Sequence, residues 1–429
     1  MTARAAGVTL LPATAIVVGN MIGTGIFTSL GFQVADIRSG FVLMTLWVLG
    51  GVFALCGALC YGELAAALPR SGGEYHFLGR IYHPAVGFLA GWVSATVGFA
   101  APVALVAMAF GEYLASATPV PVAAASGGVV AVVAGVHLCE IRIGGRFQSV
   151  FTLLKVGMIV MLAGAFFVFG EDQGVRFLPG PGDAALLVSA PFAVALVFVM
   201  YAYSGWNAAT YVVNDVRDPQ RTVPRALFAG TLLVTVLYIG LNAAFLHAAP
   251  MEILEGEVEV AQVAAEAAFG SRGGSLVALL ICLGLLSSLS AMTWAGPRVA
   301  VTMGEDYRPL RWLAVRSKKG VPYVAVLWQT AIVYLLLIDG TFEAVLVYIE
   351  LLLILSGFLT VAGVIWLRWR EPGLERPYRA WGYPLTPVIF LGISAWMIVY
   401  MVRAKPVESG WSLATLVAGA LVYLAARRG

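Results

Sequence analysis

Charge is scarce in this sequence. Asp, Glu, Lys and Arg together make up 11% of its 429 residues, against about 25% in soluble domains, so water is not the chain's main solvent. Cysteine is nearly missing: Cys56, Cys60, Cys139 and Cys282 fall in or at the ends of apolar stretches and at no metal-ligand spacing. Neither a disulfide framework nor a zinc site is expected. Long polar segments are lacking too. The longest loops run to about 20 residues and no Gly-rich phosphate loop occurs, so a soluble domain, a bound cofactor and ATP as energy source are all unexpected. The net charge of +3 gives no reason to invoke nucleic acid, and without a nucleophile–base pair or a metal cluster an enzyme is the weakest class.

What fills the chain instead is apolar, at 60% of positions. Twelve stretches reach the roughly 20 residues that a bilayer crossing needs. They lie near 9–33, 41–68, 84–114, 122–139, 148–170, 186–212, 223–249, 274–300, 322–338, 344–367, 383–403 and 409–427. The first is too long for a signal-peptide core and has no clear small-residue cleavage site, so it is expected to stay in the mature protein. An even number of spans puts both termini on one side. With that side cytoplasmic, 20 of 26 basic residues lie inside, five outside (Arg38, Arg176, Arg272, Arg403, Lys405) and one, Lys155, within a span. This asymmetry predicts cytoplasmic termini in the cell (cytoplasmic) membrane.

Two spans are interrupted. The first reads ATAIVVGNMIGTGIFTSLGF, with Gly19, Gly23 and Gly25 near its middle, each costing a helix about 1 kcal/mol. Unpaired backbone in hydrocarbon is tolerated only where it lines a cavity or meets a ligand. An opened turn at Gly23-Thr24-Gly25 would aim N–H groups and the positive end of a half-helix at an anion such as a carboxylate. A small-residue packing face is the competing reading. The sixth span is broken in a corresponding way at Tyr203-Ser204-Gly205-Trp206-Asn207. Such paired interruptions point to a midplane substrate site. The chain then divides into spans one to five (1–180), an inverted second set of five (181–370), and two appended spans (371–429).

At this point the residues resemble a known family. The motifs IGTGIF, YGELAAALPRSGGEYHFL from Tyr61, AYSGWN with its trailing NDVRDPQRTVPRAL, GPRVAVTMGED from Gly296 and RPYRAWGYPLTPVIF from Arg376 occur in the order found in the amino acid–polyamine–organocation superfamily. Within it, the chain is similar to the L-type amino acid transporter-like permeases. The resemblance implies an all-α polytopic membrane protein with a LeuT-like fold, twelve transmembrane helices as a 5+5 inverted repeat plus two, and alternating access. It places the substrate carboxylate on the backbone of Gly23, Thr24 and Gly25. The substrate amine goes to carbonyls near Ile22 and around Tyr201, Ala202 and Ser204, within the Tyr201–Gly205 break that also holds Tyr203. Tyr201 stands where relatives have an aromatic gate, and Tyr238 matches a tyrosine that holds the site together.

Two departures qualify the resemblance. An acidic pair after the sixth span appears as Asn214-Asp215, which predicts a weakened gating contact. The loop LASATPVP lacks the cysteine through which eukaryotic relatives join a heavy subunit, so no disulfide-linked partner is expected and the protein works alone or as a loose homo-oligomer.

Two charges lie inside spans. A lone cation at the bilayer centre costs at least about 2.5–3.5 kcal/mol, which makes Lys155 a functional residue by default; snorkelling to the cytoplasmic end is the alternative. Sodium-independent relatives carry a lysine at the matching position, in the place of a structural sodium ion between spans one, five and eight, which implies a coupling role. Glu350 in the tenth span is open between a vestibule contact to a cationic side chain, a proton site, and a hydrogen-bonded protonated carboxyl. Glu63, Glu112 and Arg298 near span ends read as structural or gating charges, and His137 and His247 have no metal partner at helical spacing. The expected function is sodium-independent secondary transport of small or neutral L-amino acids, by exchange or proton symport. A polyamine or other amine transporter of the same fold is the alternative, and a non-transporting amino acid sensor a further one.

Overall fold

The computed structural model describes residues 8–139 and 145–428. They form α1 (Leu10–Met21), α2 (Gly25–Val34), α3 (Gly40–Ala67), α4 (Glu74–Ile81), α5 (Pro84–Val93), α6 (Phe99–Ala117), α7 (Val122–Leu138), α8 (Gly145–Phe169) and α9 (Asp183–Leu186). The second part contains α10 (Ala190–Tyr203), α11 (Pro219–Ala248), α12 (Met251–Leu254), α13 (Val260–Asp306), α14 (Tyr323–Asp339), α15 (Phe342–Arg370), α16 (Leu385–Ala404) and α17 (Pro406–Arg428). Among the described residues the extended structure is a single bridge, Val8 to Val216. Among the described residues ten helical segments are long and apolar enough to cross a membrane, with α1–α2 and α5–α6 each counting as one; α7 and α14 are shorter apolar helices. The protein is therefore an all-helical, multi-pass membrane protein.

Large apolar side chains cover much of its outside as well as its core. Leu153, Leu154, Val168 and Phe169 of α8 and Leu413 and Leu421 of α17 are exposed, a surface that water would not tolerate on this scale and that lipid solvates. The buried faces of α1, α3, α8, α11 and α13 converge on the centre, where α1 packs on α8 and α11, and α10 on α2, α3 and α15.

Several elements differ from the pattern read in the sequence. The third span is not one regular helix: a π-helical turn at Ser94–Gly98 separates α5 from α6. The polar stretch before it contains α4, capped by Gly73, with Glu74 in its first turn and Arg80 in its last, each charge favouring its helix end. The eighth span begins early, because helix runs from Val260 and breaks at Gly270 (φ +75°) before the membrane segment proper.

The two ends of the bundle are distinguishable. One carries the Val8–Val216 bridge, the Arg80–Glu371 ion pair and the contact of Tyr423 with Tyr307 and Phe88; both described termini lie here. The other carries Arg38 with Glu252 and Glu255, and Lys405 with Glu343.

Candidate functional site

Both expected interruptions are present, and they meet. α1 stops at Met21 and α2 starts at Gly25; α10 stops at Tyr203, Ser204 turns out of helical conformation (ψ 152°), and the chain resumes as a 3-10 helix over Ala208–Asp215. A Cβ on Gly25 would lie 2.5 Å from Ala202 Cα, so the start of α2 and the end of α10 touch backbone to backbone, which a side chain here would prevent. Gly205 takes φ +92° against Asn20, a conformation open to glycine at little cost. The expected second half-helix after this break is a tighter 3-10 turn with a kink at Val212.

The groups freed by the two breaks are of opposite kind. Among the described residues the N–H groups of Gly23, Thr24 and Gly25 meet no backbone acceptor, and the carbonyls of Ala202 and Tyr203 meet no donor. Helix termini leave such groups unpaired, donors at the N-terminal end and acceptors at the C-terminal end. The Thr24 side chain is buried beside them, next to the Tyr201 phenol. A ligand with an anionic and a cationic group side by side matches this arrangement.

The remaining expected residues divide. Tyr238 donates to Met21 O (2.6 Å), bracing the end of α1 from α11. The Ile22 carbonyl, assigned to the substrate amine, already accepts from Lys155 Nζ (2.9 Å) and Ser288 Oγ (3.3 Å). Lys155 is 3% exposed; its ammonium also donates to Ser288 Oγ (2.6 Å) and reaches Gly19 O at 3.4 Å. It points inward to the break and does not snorkel. Tyr201 is buried at the last turn of α10, its carbonyl taken by Ser204 N–H (2.9 Å). The side chain of Tyr203 turns away, donating to Trp47 O (2.9 Å) and packing on the Trp47 and Tyr238 rings. Ser288 was not singled out beforehand, although a Ser-Ser pair inside an apolar span is a visible signal.

The model of the family described as "Amino acid permease" matches residues 8–424. The chain belongs to the amino acid permease family. It is 30% identical over 439 residues to the Large neutral amino acids transporter small subunit 2 of Mus musculus, covering 96% of this chain and 80% of that protein. It is 27% identical over 424 residues to the Serine/threonine exchanger SteT of Bacillus subtilis, covering 96% and 95%, and 27% identical over 428 residues to the mouse Asc-type amino acid transporter 1.

In this amino acid permease the two sides of the break are not equivalent. Toward the Arg38 end the site is packed shut: Tyr113 donates to Phe27 O (2.7 Å), Ser29 donates to Phe198 O (3.1 Å), and the Phe32 ring stacks between Phe198 and Phe342 at 4.9 and 5.8 Å. Toward the end with the termini a cavity of about 620 Å³ opens, lined among others by His76, Tyr211, Asn214 and Arg298. Burial first, then the Arg70 and Arg80 charges, hold the His76 pKa below the usual histidine value, so the cavity's histidine is neutral at pH 7. Above the cavity Glu74 gathers Tyr61 (2.9 Å), Asn207 (2.5 Å) and Tyr211 onto one carboxylate, tying α3, α4 and the second break together. Asn214, where an acidic residue was expected, pairs with Ser71: Ser71 N–H donates to Asn214 Oδ1 (3.3 Å) and the Asn214 main-chain N–H to Ser71 Oγ (2.9 Å).

Proposed function

We propose that this permease is a sodium-independent secondary transporter of small or neutral L-amino acids. The observation that carries the reading is the juxtaposition of free N–H groups at Gly23–Gly25 with free carbonyls at Ala202 and Tyr203: an α-amino acid presents a carboxylate and an ammonium on one carbon, and few other metabolites do. The relatives' names, all of amino acid transporters or an exchanger, support the same class. Tyr201 serves as the gate over the site, Tyr238 as its brace, and the carbonyls around Ile22 and Ser204 as the rest of the amine pocket, the Ile22 oxygen being shared with Lys155. The chain crosses the cytoplasmic membrane twelve times with both termini inside, in a LeuT-like arrangement of two inverted sets of five spans plus two. Alternating access moves one bundle against the other, and no covalently joined subunit takes part.

Lys155 is the reason for sodium independence. Its ammonium joins the carbonyls of α1 to Ser288 of α13, bonding that a site-bound cation would otherwise supply. Purified protein in liposomes is expected to take up a labelled neutral amino acid at the same rate in sodium and in choline at constant ionic strength. Gly25→Val, which drives a side chain into Ala202, is expected to abolish binding while leaving the purified protein monodisperse. A saturable sodium requirement would refute the role of Lys155, and undiminished binding by Gly25→Val the placement of the carboxylate.

A further inference from the structure

Glu350 is a carboxyl group in the membrane interior for which the fold supplies no counter-ion. It is 3% exposed, its Oε2 has no hydrogen-bond partner, and among the described residues no cation lies within ion-pair distance of it. It sits in the first third of α15, seven residues after Glu343 and eighteen before Arg368, or about 10 and 27 Å along the axis. Those two are occupied elsewhere, Glu343 with Lys405 and Arg368 with Glu63. Of the helices packed on α15, α10 brings the Tyr201 phenol into the neighbourhood of Glu350, while Glu74 and Arg80 of α4 are engaged with Tyr61 and Glu371. Glu112 of α6 lies beside Glu257 instead, Glu63 of α3 beside Arg368 and Arg376, and Tyr348 of α15 itself bonds to Thr415 of α17.

An ionised carboxylate held without a partner in such surroundings is too costly to persist, and the group takes a proton instead. Glu350 lines neither the 620 Å³ cavity nor the 380 Å³ one beside Arg38. Tyr201 connects this carboxyl to the substrate break, since α10 ends two residues later. We propose that Glu350 is the proton-carrying group of this permease. On the outward-open side its carboxylate takes H⁺ from a water-borne hydronium, forming an O–H bond. It crosses the occluded state as the neutral acid, and the O–H bond breaks to water that enters the substrate break beside Tyr201 once the amino acid has left it inward, so one proton accompanies each amino acid moved inward. This rests on the transport reading above and adds to it the driving force.

The test uses the full chain in liposomes with labelled L-serine and L-alanine. With the lumen one pH unit more alkaline than the medium, the wild type is expected to accumulate substrate up to about tenfold, the limit for one proton per molecule, while a trapped dye reports acidification. Glu350→Gln, which mimics the neutral acid, is expected to keep exchange at equal pH within about twofold and to lose both accumulation and acidification. Glu350→Asp is expected to retain them in part. Undiminished pH-driven accumulation by Glu350→Gln would overturn the proposal, as would a wild type that exchanges but never accumulates, or Gln and Asp variants that both lose exchange. A selective loss of L-lysine uptake with accumulation intact would overturn it in favour of a side-chain contact. A wild type with neither uptake nor exchange would instead overturn the transport reading.

Discussion

Glu63 and Glu350 are the same residue type at nearly the same burial, 2% and 3% exposed, on two helices that pack together, yet they sit in opposite electrostatic surroundings. Glu63 accepts from Arg368 Nε (2.8 Å) and Nη2 and from the Ala380 N–H (2.7 Å), and Arg376 lies 3.5 Å away. Glu350, on the helix that supplies Arg368, has nothing of the kind. Burial alone therefore does not mark a functional charge. What separates the two is whether the fold has closed the electrostatic circuit: Glu63 staples α3, α15 and the Arg376–Ala380 segment into one immobile corner, while Glu350 is left to complete its circuit with something that comes and goes.

The contrast makes its largest demand at the stapled end. Glu63→Gln leaves the guanidinium of Arg376, 6% exposed as a side chain, without its carboxylate, and breaking a buried pair costs about 3–5 kcal/mol. The purified variant is expected to melt well below the wild type. An unchanged melting temperature would remove the distinction. Lys155→Ala comes next: it deletes charge-assisted hydrogen bonds worth about 1.5–3 kcal/mol each, partly offset because no cation then has to be desolvated. Transport is expected to fall at least about tenfold with substrate affinity changing by less, because what is lost is a bias between conformations. Normal transport would make Lys155 a structural residue only. The smallest effect is expected at Glu350→Leu, where replacing an unpartnered buried polar group by an apolar one is neutral or stabilising. A destabilisation as large as that of Glu63→Gln would reveal a partner for Glu350 and erase the comparison.

The parts of the site made of unusual backbone were the most legible in the sequence. Glycines spaced as Gly23 and Gly25 are poor helix formers wherever they occur, and the Ser204-Gly205 step announces its own break. Lys155 was equally visible, since a single cation in an apolar run has few explanations. Its partners were hidden, because which face of α13 turns toward α1 depends on packing across 133 residues between Lys155 and Ser288. The same distance problem conceals the pairing of Glu63 with Arg368, 305 residues apart. Tyr203 stands at the break through its carbonyl alone, since neighbouring residues of a helix point about 100° apart and its hydroxyl goes to Trp47. The π-turn in the third span and the early start of α13 left no trace in hydropathy, which measures how apolar a segment is and not how its hydrogen bonds are paired.

The acceptors that hold the first break have a hereditary consequence. Lys155, Tyr238 and Ser288 all grip oxygens of Gly19, Met21 and Ile22 that belong to the main chain. A main-chain oxygen is encoded by every codon alike, so no missense change at those three positions deletes a receiving atom; it can only displace it. Missense variation can delete a bonding atom of this fastening only on the donor side, at three residues in three different helices, and a change in any one of them leaves the other two donors in place.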